Sequence, residues 1–319
     1  MNALASLKLT AAAIALFAAG IAGSYVAPEP ALWAIAAPLV LLAVNLAAAI
    51  VRHPAFRRQA ALLVFHLALG ALALLAAAGQ LMSLKGRVEL TTGEAFAGQL
   101  LEGEHGPLHL QRLHRVWFVN EGFEIDYAAN VKRGETRNTI RWRDEAGTER
   151  VSVIGDQTPL VVHGYRLYTT PNKGFAPVFT WQPERGAALL GSVHLPSFPA
   201  WHNVQSAEWT PPGRARPLTF TLHLEEPVVV PDGRWRLKLP VRHRLEVELD
   251  GVRRELVPGA LIDLGAGRLR YEGLTTWMGY QVFSDWTLPW MLAAALLAAA
   301  SLAWHFWARF SARPWQEEA

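Results

Sequence analysis

The chain has 319 residues, of which 51% are hydrophobic and only 18% charged, a balance unlike that of an ordinary soluble domain. The formal net charge is +3 and there is no long basic block, which argues against nucleic acid as the partner. There is no cysteine. That excludes disulfides, thiolate metal sites and thiol–disulfide exchange, and it excludes the C-x-x-C-H motif of a c-type cytochrome.

Three segments near the start each supply the roughly 20 apolar residues that a helix needs to cross a bilayer. They run over 7–27, 31–51 and 60–82. The first is expected to be a retained helix, since its apolar run exceeds the ~7–15-residue core of a cleaved signal peptide. Pro28-Glu29-Pro30 connects the first two and carries no positive charge, whereas the connection RHPAFRRQ holds Arg52, Arg57 and Arg58. Arginine and lysine accumulate on the cytoplasmic side of membrane helices, so the second connection is expected inside and the first outside.

The third span contains His66 in FHLALG, where its neighbours are apolar. An ionisable residue within a membrane helix is costly and usually faces a partner, a cavity or a ligand. His66 lies six residues from the cytoplasmic end of its span, about 9 Å at 1.5 Å per residue, and Asn45 lies six residues from the same end of the second. An antiparallel hairpin then places both at matching depth. Asn45 could hold one ring nitrogen and leave the other for a metal, and Gly70 leaves room for a flat macrocycle or a close helix. Equally, His66 and Asn45 could simply bridge two helices.

Residues 83–287 read as β-structure. TIRWRDEAGTERVSVI and RLEVELDGVRREL alternate apolar and polar residues around Gly-containing turns, and Asp250-Gly251 is a hairpin signal. No long amphipathic helix is expected there. IRWRDEAGTERVSVIGDQTPLVVHGYRLY and LEVELDGVRRELVPGALIDLGAGRLRY share an order of strand, turn, strand, apolar strand, glycine, then Arg-Leu before a tyrosine. This is either two copies of one meander or a coincidence between β-rich segments.

A fourth span covers 288–308, with Trp286 and Trp290 at one end and Trp304 and Trp307 at the other, as an aromatic belt requires. Arg309 and Arg313 follow it, so the tail, 309–319, is expected in the cytoplasm. Both termini are then inside and the β-rich domain is outside. The fold class is therefore a four-helix membrane protein of α+β type, with a large extracytoplasmic β-rich domain between helices 3 and 4.

The other histidines carry weaker signals. His305 sits among tryptophans at the end of the fourth span and reads as an interfacial residue, with a second ligand role as the alternative. His105, His109 and His114 fall in HGPLHLQRLH, where Gly106-Pro107 opposes the helix that an i, i+4 metal pair would need. His163, His194, His202, His223 and His243 are scattered through strand-like text. No phosphate loop, H-E-x-x-H or nucleophile elbow is present, so no catalytic or metal residue is assigned.

Several stretches resemble the ResB (CcsB) proteins of system II cytochrome c biogenesis. LASLKLTAAAIALFAAGIAGSYV resembles the family's opening, and VNLAAAIVRHPAFRRQ is similar to the end of its second helix and the basic loop. FHLALGALALLAAAGQLMSLKGRVELTTGE resembles its third helix and exit, TPLVVHGYRLYTTPNKGFAP its Pro-Leu … Gly-Tyr-x-Tyr stretch, and GYQVFSDWTLPWMLAAALLAAASLAWHFWARFSARPW its last helix. The layout of three spans, an external domain and a final span is also the family's. The external domain is smaller than in many members, and the Trp-rich motif of the ResC (CcsA) partner is absent.

The resemblance implies a non-enzymatic subunit of the bacterial inner membrane with a periplasmic domain. With a ResC/CcsA-type partner, it would bind haem transiently and help deliver it to apocytochrome c. It assigns haem binding to His66, and the arginines at 52, 57 and 58 could meet the propionates. A membrane-anchored β-domain acting as sensor or scaffold is one alternative. A haem b electron-transfer subunit is another, weakened because the chain offers one well-buried membrane histidine rather than two. A reporter fused after Arg58 is expected to be active only as a cytoplasmic fusion, and activity on the outer side would overturn the orientation.

Overall fold

The computed structural model describes residues 4–199 and 205–311, apart from the side chains of residues 28–31 and 57. His202, Arg313 and the rest of the tail from 312 onward lie outside the described residues. The chain divides into two compact units. One comprises Met1–Lys85, Glu104–Leu110 and Ser284–Ala319, the other Gly86–Gly103 and Gln111–Phe283.

The first unit is helical. Ser6 caps helix α1 (Leu7–Ser24) by accepting from the Lys8 amide at 3.2 Å. Helix α2 (Pro28–Arg52) begins at the proline that the sequence placed in a connection. A proline fits the first helical position because its missing N–H would be unpaired there anyway. The same preference starts a short helix, α3 (Pro54–Arg58), inside the basic loop. Helices α4 (Ala60–Met82) and α5 (Leu288–Ser311) complete the unit.

Four of these helices are long and apolar enough to cross a membrane. They present Ile14, Leu16, Leu67, Leu74, Leu292 and Leu296 outward, a surface suited to lipid. The start of α5 packs on α4 at Gly79, where a Cβ would stand 2.9 Å from Thr287 Oγ1. Asp285 holds that threonine in place, accepting from its amide at 2.9 Å and its hydroxyl at 2.7 Å.

The β-rich domain contains 16 strands among the described residues. Strands β1 (Leu84–Thr91), β2 (Ala95–Phe96) and β3 (Glu102–His105) come first. Next are β4 (Phe118–Ala128), β5 (Lys132–Arg143), β6 (Glu149–Ile154), β7 (Leu160–Val162), β8 (Tyr165–Pro183) and β9 (Leu189–Ser192). Then follow β10 (Ser206–Trp209), β11 (Leu218–Leu224), β12 (Trp235–Arg236), β13 (His243–Leu249), β14 (Val252–Leu256), β15 (Leu261–Asp263) and β16 (Gly267–Ser284).

A central sheet runs β3-β1-β16-β8-β7, with β15 added to β16 and β9 to β8. Two further sheets run β12-β4-β5-β6, with β2 on β4, and β10-β11-β13-β14.

The internal repeat is real at the level of topology. β5–β6 and β13–β14 are hairpins in the two separate sheets. Each is followed by a short strand that returns antiparallel on a long one, β7 on β8 and β15 on β16. Leu160 pairs with Leu167 in the first copy, and Ile262 with Leu269 in the second, and all four are buried. Gly164 and Gly265, in the turns before β8 and β16, have φ of +82° and +77°, a conformation glycine adopts without a Cβ penalty. The two long strands then pair antiparallel from Gly267↔Pro183 to Phe283↔Arg166, so the copies share one central sheet.

A buried polar chain ties the central sheet to the first hairpin's sheet. Asn120 Nδ2 donates to Leu90 O at 3.0 Å, Asn138 Nδ2 to Asn120 Oδ1 at 2.8 Å, and Tyr280 Oη to Asn138 Oδ1 at 2.9 Å. Burial pushes the Tyr280 phenol well above its ordinary pKa, so it stays a donor.

Lys173 on β8 is a different case. It is 5% exposed, and its Nζ donates to Pro171 O at 3.0 Å and stands 5.7 Å from the centre of the Tyr127 ring. Burial, with the nearby Arg133 charge, lowers its pKa from 10.5 to about 8. Between these values the unfolded chain binds the extra proton, so stability rises with pH across about 8 to 10.5; below about 8 the cost is constant. Lys173→Met is expected to stabilise the β-rich domain at pH 7 by about 3 kcal/mol. Thermal unfolding of the detergent-solubilised protein, wild type against variant at pH 7 and pH 10, measures this, with the gap closing at the higher pH.

Candidate functional site

His66 lies in the second turn of α4, and its Nδ1 is 2.7 Å from the carbonyl oxygen of Leu62, one turn earlier. A carbonyl only accepts, so in the neutral ring Nδ1 carries the proton and Nε2 keeps its lone pair. Nε2 has no hydrogen-bond partner among the described residues. The Phe56 and Phe65 rings stand edge-on to the imidazole at centroid distances of 4.8 and 5.2 Å.

The ring faces a largely apolar cavity of about 470 Å³, in the usual size range of about 300–1,000 Å³ for small-molecule and cofactor sites. Leu46, Ala49, Leu69, Gly70 and Ala73 supply apolar wall, Thr10 and Asn45 polar groups, and His53 and Phe56 close the end towards α3. An imidazole with its Nδ1 proton anchored and its Nε2 lone pair free is the ligand form that haem iron accepts. The residues present therefore fit haem in chemistry and in the shape of an apolar cleft.

Asn45 lines the same cavity but does not hold the His66 ring, which corrects the expectation from counting along the helices. Its Oδ1 accepts from Thr10 Oγ1 at 2.7 Å, and its Nδ2 donates to Leu4 O at 2.5 Å and Ser6 O at 3.2 Å. The reason is register. A Cβ on Gly70 would lie 3.7 Å from Leu46 Cδ2, so those positions face each other and His66 comes level with Ile50. Asn45 is five residues deeper, about 7 Å along the axis. Counting from the span ends missed this because α2 ends at Arg52 and α3 takes up the connection.

His305 is not part of this site. It lines a separate cavity of about 700 Å³ with Trp304, Arg309, Gln59 and Leu62, its ring 5.6 Å from that of Phe306. Among the basic residues, Arg58 is exposed and does not line the His66 cavity, and the Arg57 side chain lies outside the described residues.

His105 and His109 have ring centroids 6.2 Å apart without a helix between them, and His109 Nδ1 bonds Met82 O at 2.8 Å. His114 lies in the 3₁₀ turn Leu113–Arg115 with Nδ1 3.0 Å from Gln111 O. No group of three or more His, Cys, Asp or Glu residues that could hold a metal occurs among the described residues. His163 occupies a turn at φ +51°, His223 lies 3.9 Å from Glu246, and His243 Nδ1 bonds Pro240 O.

His194 stands out among the scattered histidines. It stacks on Trp277 at 5.0 Å, with Nδ1 3.1 Å from Glu89 and Nε2 3.0 Å from Thr91 Oγ1. Both nitrogens are engaged by residues about a hundred positions away, which no local motif signals.

Sequence reasoning missed His53. It sits in the basic connection, where the arginines carried the topology signal, and only the fold shows that it borders the His66 cavity.

No family model matches the chain, and no curated protein matches it. A solved structure titled "Cytochrome c Heme Lyase CcmF" is similar over 95% of this chain and 35% of that one, at 13% sequence identity and a TM-score of 0.31. The chain thus spans about a third of the length of that protein.

Asn45→Ala is expected to loosen the contact of the α1 start with α2 while leaving the His66 tautomer intact. A hydrogen bond between membrane helices is worth about 0.5–2 kcal/mol. A lowered melting temperature of the solubilised protein is the expected result, and an unchanged one would show that Asn45 does not tie the two segments together.

Proposed function

We propose that the chain is the haem-handling subunit of a system II-type cytochrome c synthase, held in the bacterial inner membrane. One observation carries this reading: a membrane-helix histidine whose Nδ1 is held by Leu62 O at 2.7 Å and whose ring lines a largely apolar cavity. An intramembrane ionisable residue with its ligating atom unpartnered is costly unless a ligand uses it. The resemblance of the sequence to ResB/CcsB proteins supports the same assignment.

In this reading His66 Nε2 would be the atom that holds haem iron, and Leu62 O orients the ring and fixes its tautomer. The apolar walls accept the macrocycle and exclude water. The β-rich domain lies on the periplasmic side, where it docks a ResC/CcsA-type partner or apocytochrome c. The chain carries no catalytic group of its own, and attachment of haem to the apocytochrome takes place in the complex with that partner.

The test is to purify the protein with its ResC/CcsA-type partner in detergent and compare haem content and absorption spectrum for wild type and His66→Ala. A several-fold loss of haem in the variant is expected. Equal content in the two would remove His66 as a ligand and favour a scaffold or sensor role.

A further inference from the structure

We infer that the outer edge of β9 is a docking site for an extended peptide segment of a partner protein, which adds a strand to the central sheet and places one aliphatic side chain in a cavity over Gly191. The inference goes beyond the haem reading and stands without it, because every residue it uses lies in the β-rich domain.

The main chain supplies the first observation. β9 pairs with β8 on one side only. Its register sets Gly191 opposite Phe179 and Leu189 opposite Trp181, and Val193 N continues the ladder to Pro177 O at 3.0 Å. Hydrogen-bonded positions alternate along an antiparallel pair. Leu189, Gly191 and Val193 therefore turn their main-chain groups towards β8, and the amides and carbonyls of Leu190 and Ser192 point out from the free edge. Those groups have no partner among the described residues.

The second observation is the composition of that edge. β6, β10 and β14 form outer edges of the other two sheets and carry Arg150, Glu208 and Arg253, charges of the kind that keep an edge from pairing. β9 reads Leu-Leu-Gly-Ser and carries none, and Leu189 and Leu190 are 57% and 73% exposed.

The third is a cavity beside the edge. The pairing puts Phe179, Trp181, Leu189 and Gly191 on one face of the central sheet, and Trp209 and Pro212, at the end of β10 and just beyond it, join them around a cavity of about 100 Å³. That is well below the ~300–1,000 Å³ of a small-molecule site and suits a single side chain. A Cβ on Gly191 would meet nothing within 4 Å. A strand added to the edge bonds Leu190 and Ser192, so its residue opposite Gly191 takes a non-hydrogen-bonded position, where facing side chains lie closest. Its side chain then enters the space that the glycine leaves open.

The fourth is an incomplete buried group on the cavity wall. Trp181 is 3% exposed, yet its indole N–H has no acceptor among the described residues. Buried donors are normally paired, and an exposed one could turn to water, so the burial is what makes the gap informative. Edge pairing supplies affinity through the main chain, and a side-chain pocket beside it supplies selection.

The experiment uses the full chain in detergent and short fluorescent peptides of threonine with one central test residue, read by anisotropy. Binding of the valine peptide is expected, with aspartate at the centre about tenfold weaker or worse. Methylating the peptide amides that face the edge should abolish binding. Gly191→Val fills the cavity from the protein side, and about tenfold weaker binding at an unchanged melting temperature is expected. His66→Ala should bind the peptide as wild type does, whatever its haem content, so this inference and the haem reading fail separately.

The inference is overturned if the valine peptide does not bind, or if the methylated peptide and Gly191→Val both bind as well as the originals. A concentration-dependent dimer of the wild type that Gly191→Val abolishes would make a second copy of the chain the occupant, and would overturn the assignment to a partner protein.

Discussion

Inside a bilayer a polar side chain meets no water, so each one must find its hydrogen bonds in the protein or leave them unmade at a cost. The helical unit obeys this constraint closely. Asn45 spends its amide on Thr10, Leu4 and Ser6 of the neighbouring segment, and Ser301 returns its hydroxyl to Ala298 O at 3.0 Å. His66 is satisfied at Nδ1 and open at Nε2. That asymmetry makes the α2–α4 cavity the candidate site.

The β-rich domain solves a different problem, that of building one core from two similar halves. Each half places a hairpin in its own sheet and a long strand in the shared one, so the β8–β16 pairing joins the copies along most of their length. Where the halves differ, polar groups are buried. The Asn120–Asn138–Tyr280 chain pins the first hairpin's sheet to the centre, and a hydrogen-bonded network of that kind specifies one arrangement more strictly than apolar packing alone. Lys173 opposes stability at neutral pH, because its ammonium is buried with a carbonyl and an aromatic face and has no carboxylate partner among the described residues.

Glycine turns and Arg-Leu steps recur at matching places in two stretches of the sequence and the strands between them alternate with period two, but a repeat and a coincidence read alike there, and only the strand pairing shows the shared order. The four spans were legible because a bilayer demands length and apolarity, properties that need no knowledge of neighbours. The site was legible only in part. His66 is visible as a polar residue in an apolar run, whereas the register that separates it from Asn45 and brings His53 to the cavity wall depends on where α2 stops, which no local pattern signals. His194 was equally invisible, since its partners Glu89, Thr91 and Trp277 come from two distant strands.

By itself, then, the sequence determined the four spans, the β-rich character of the domain between the third and fourth, and His66 as a polar residue in an apolar run. These follow from periodicity and composition, which act along the chain. Only the tertiary structure decided which residues meet across the cavity. Helix register depends on where α2 stops and on how α3 folds back, and five residues of axial slip, about 7 Å, carry Asn45 out of reach of His66. That same slip leaves His53 as the second histidine on the cavity wall.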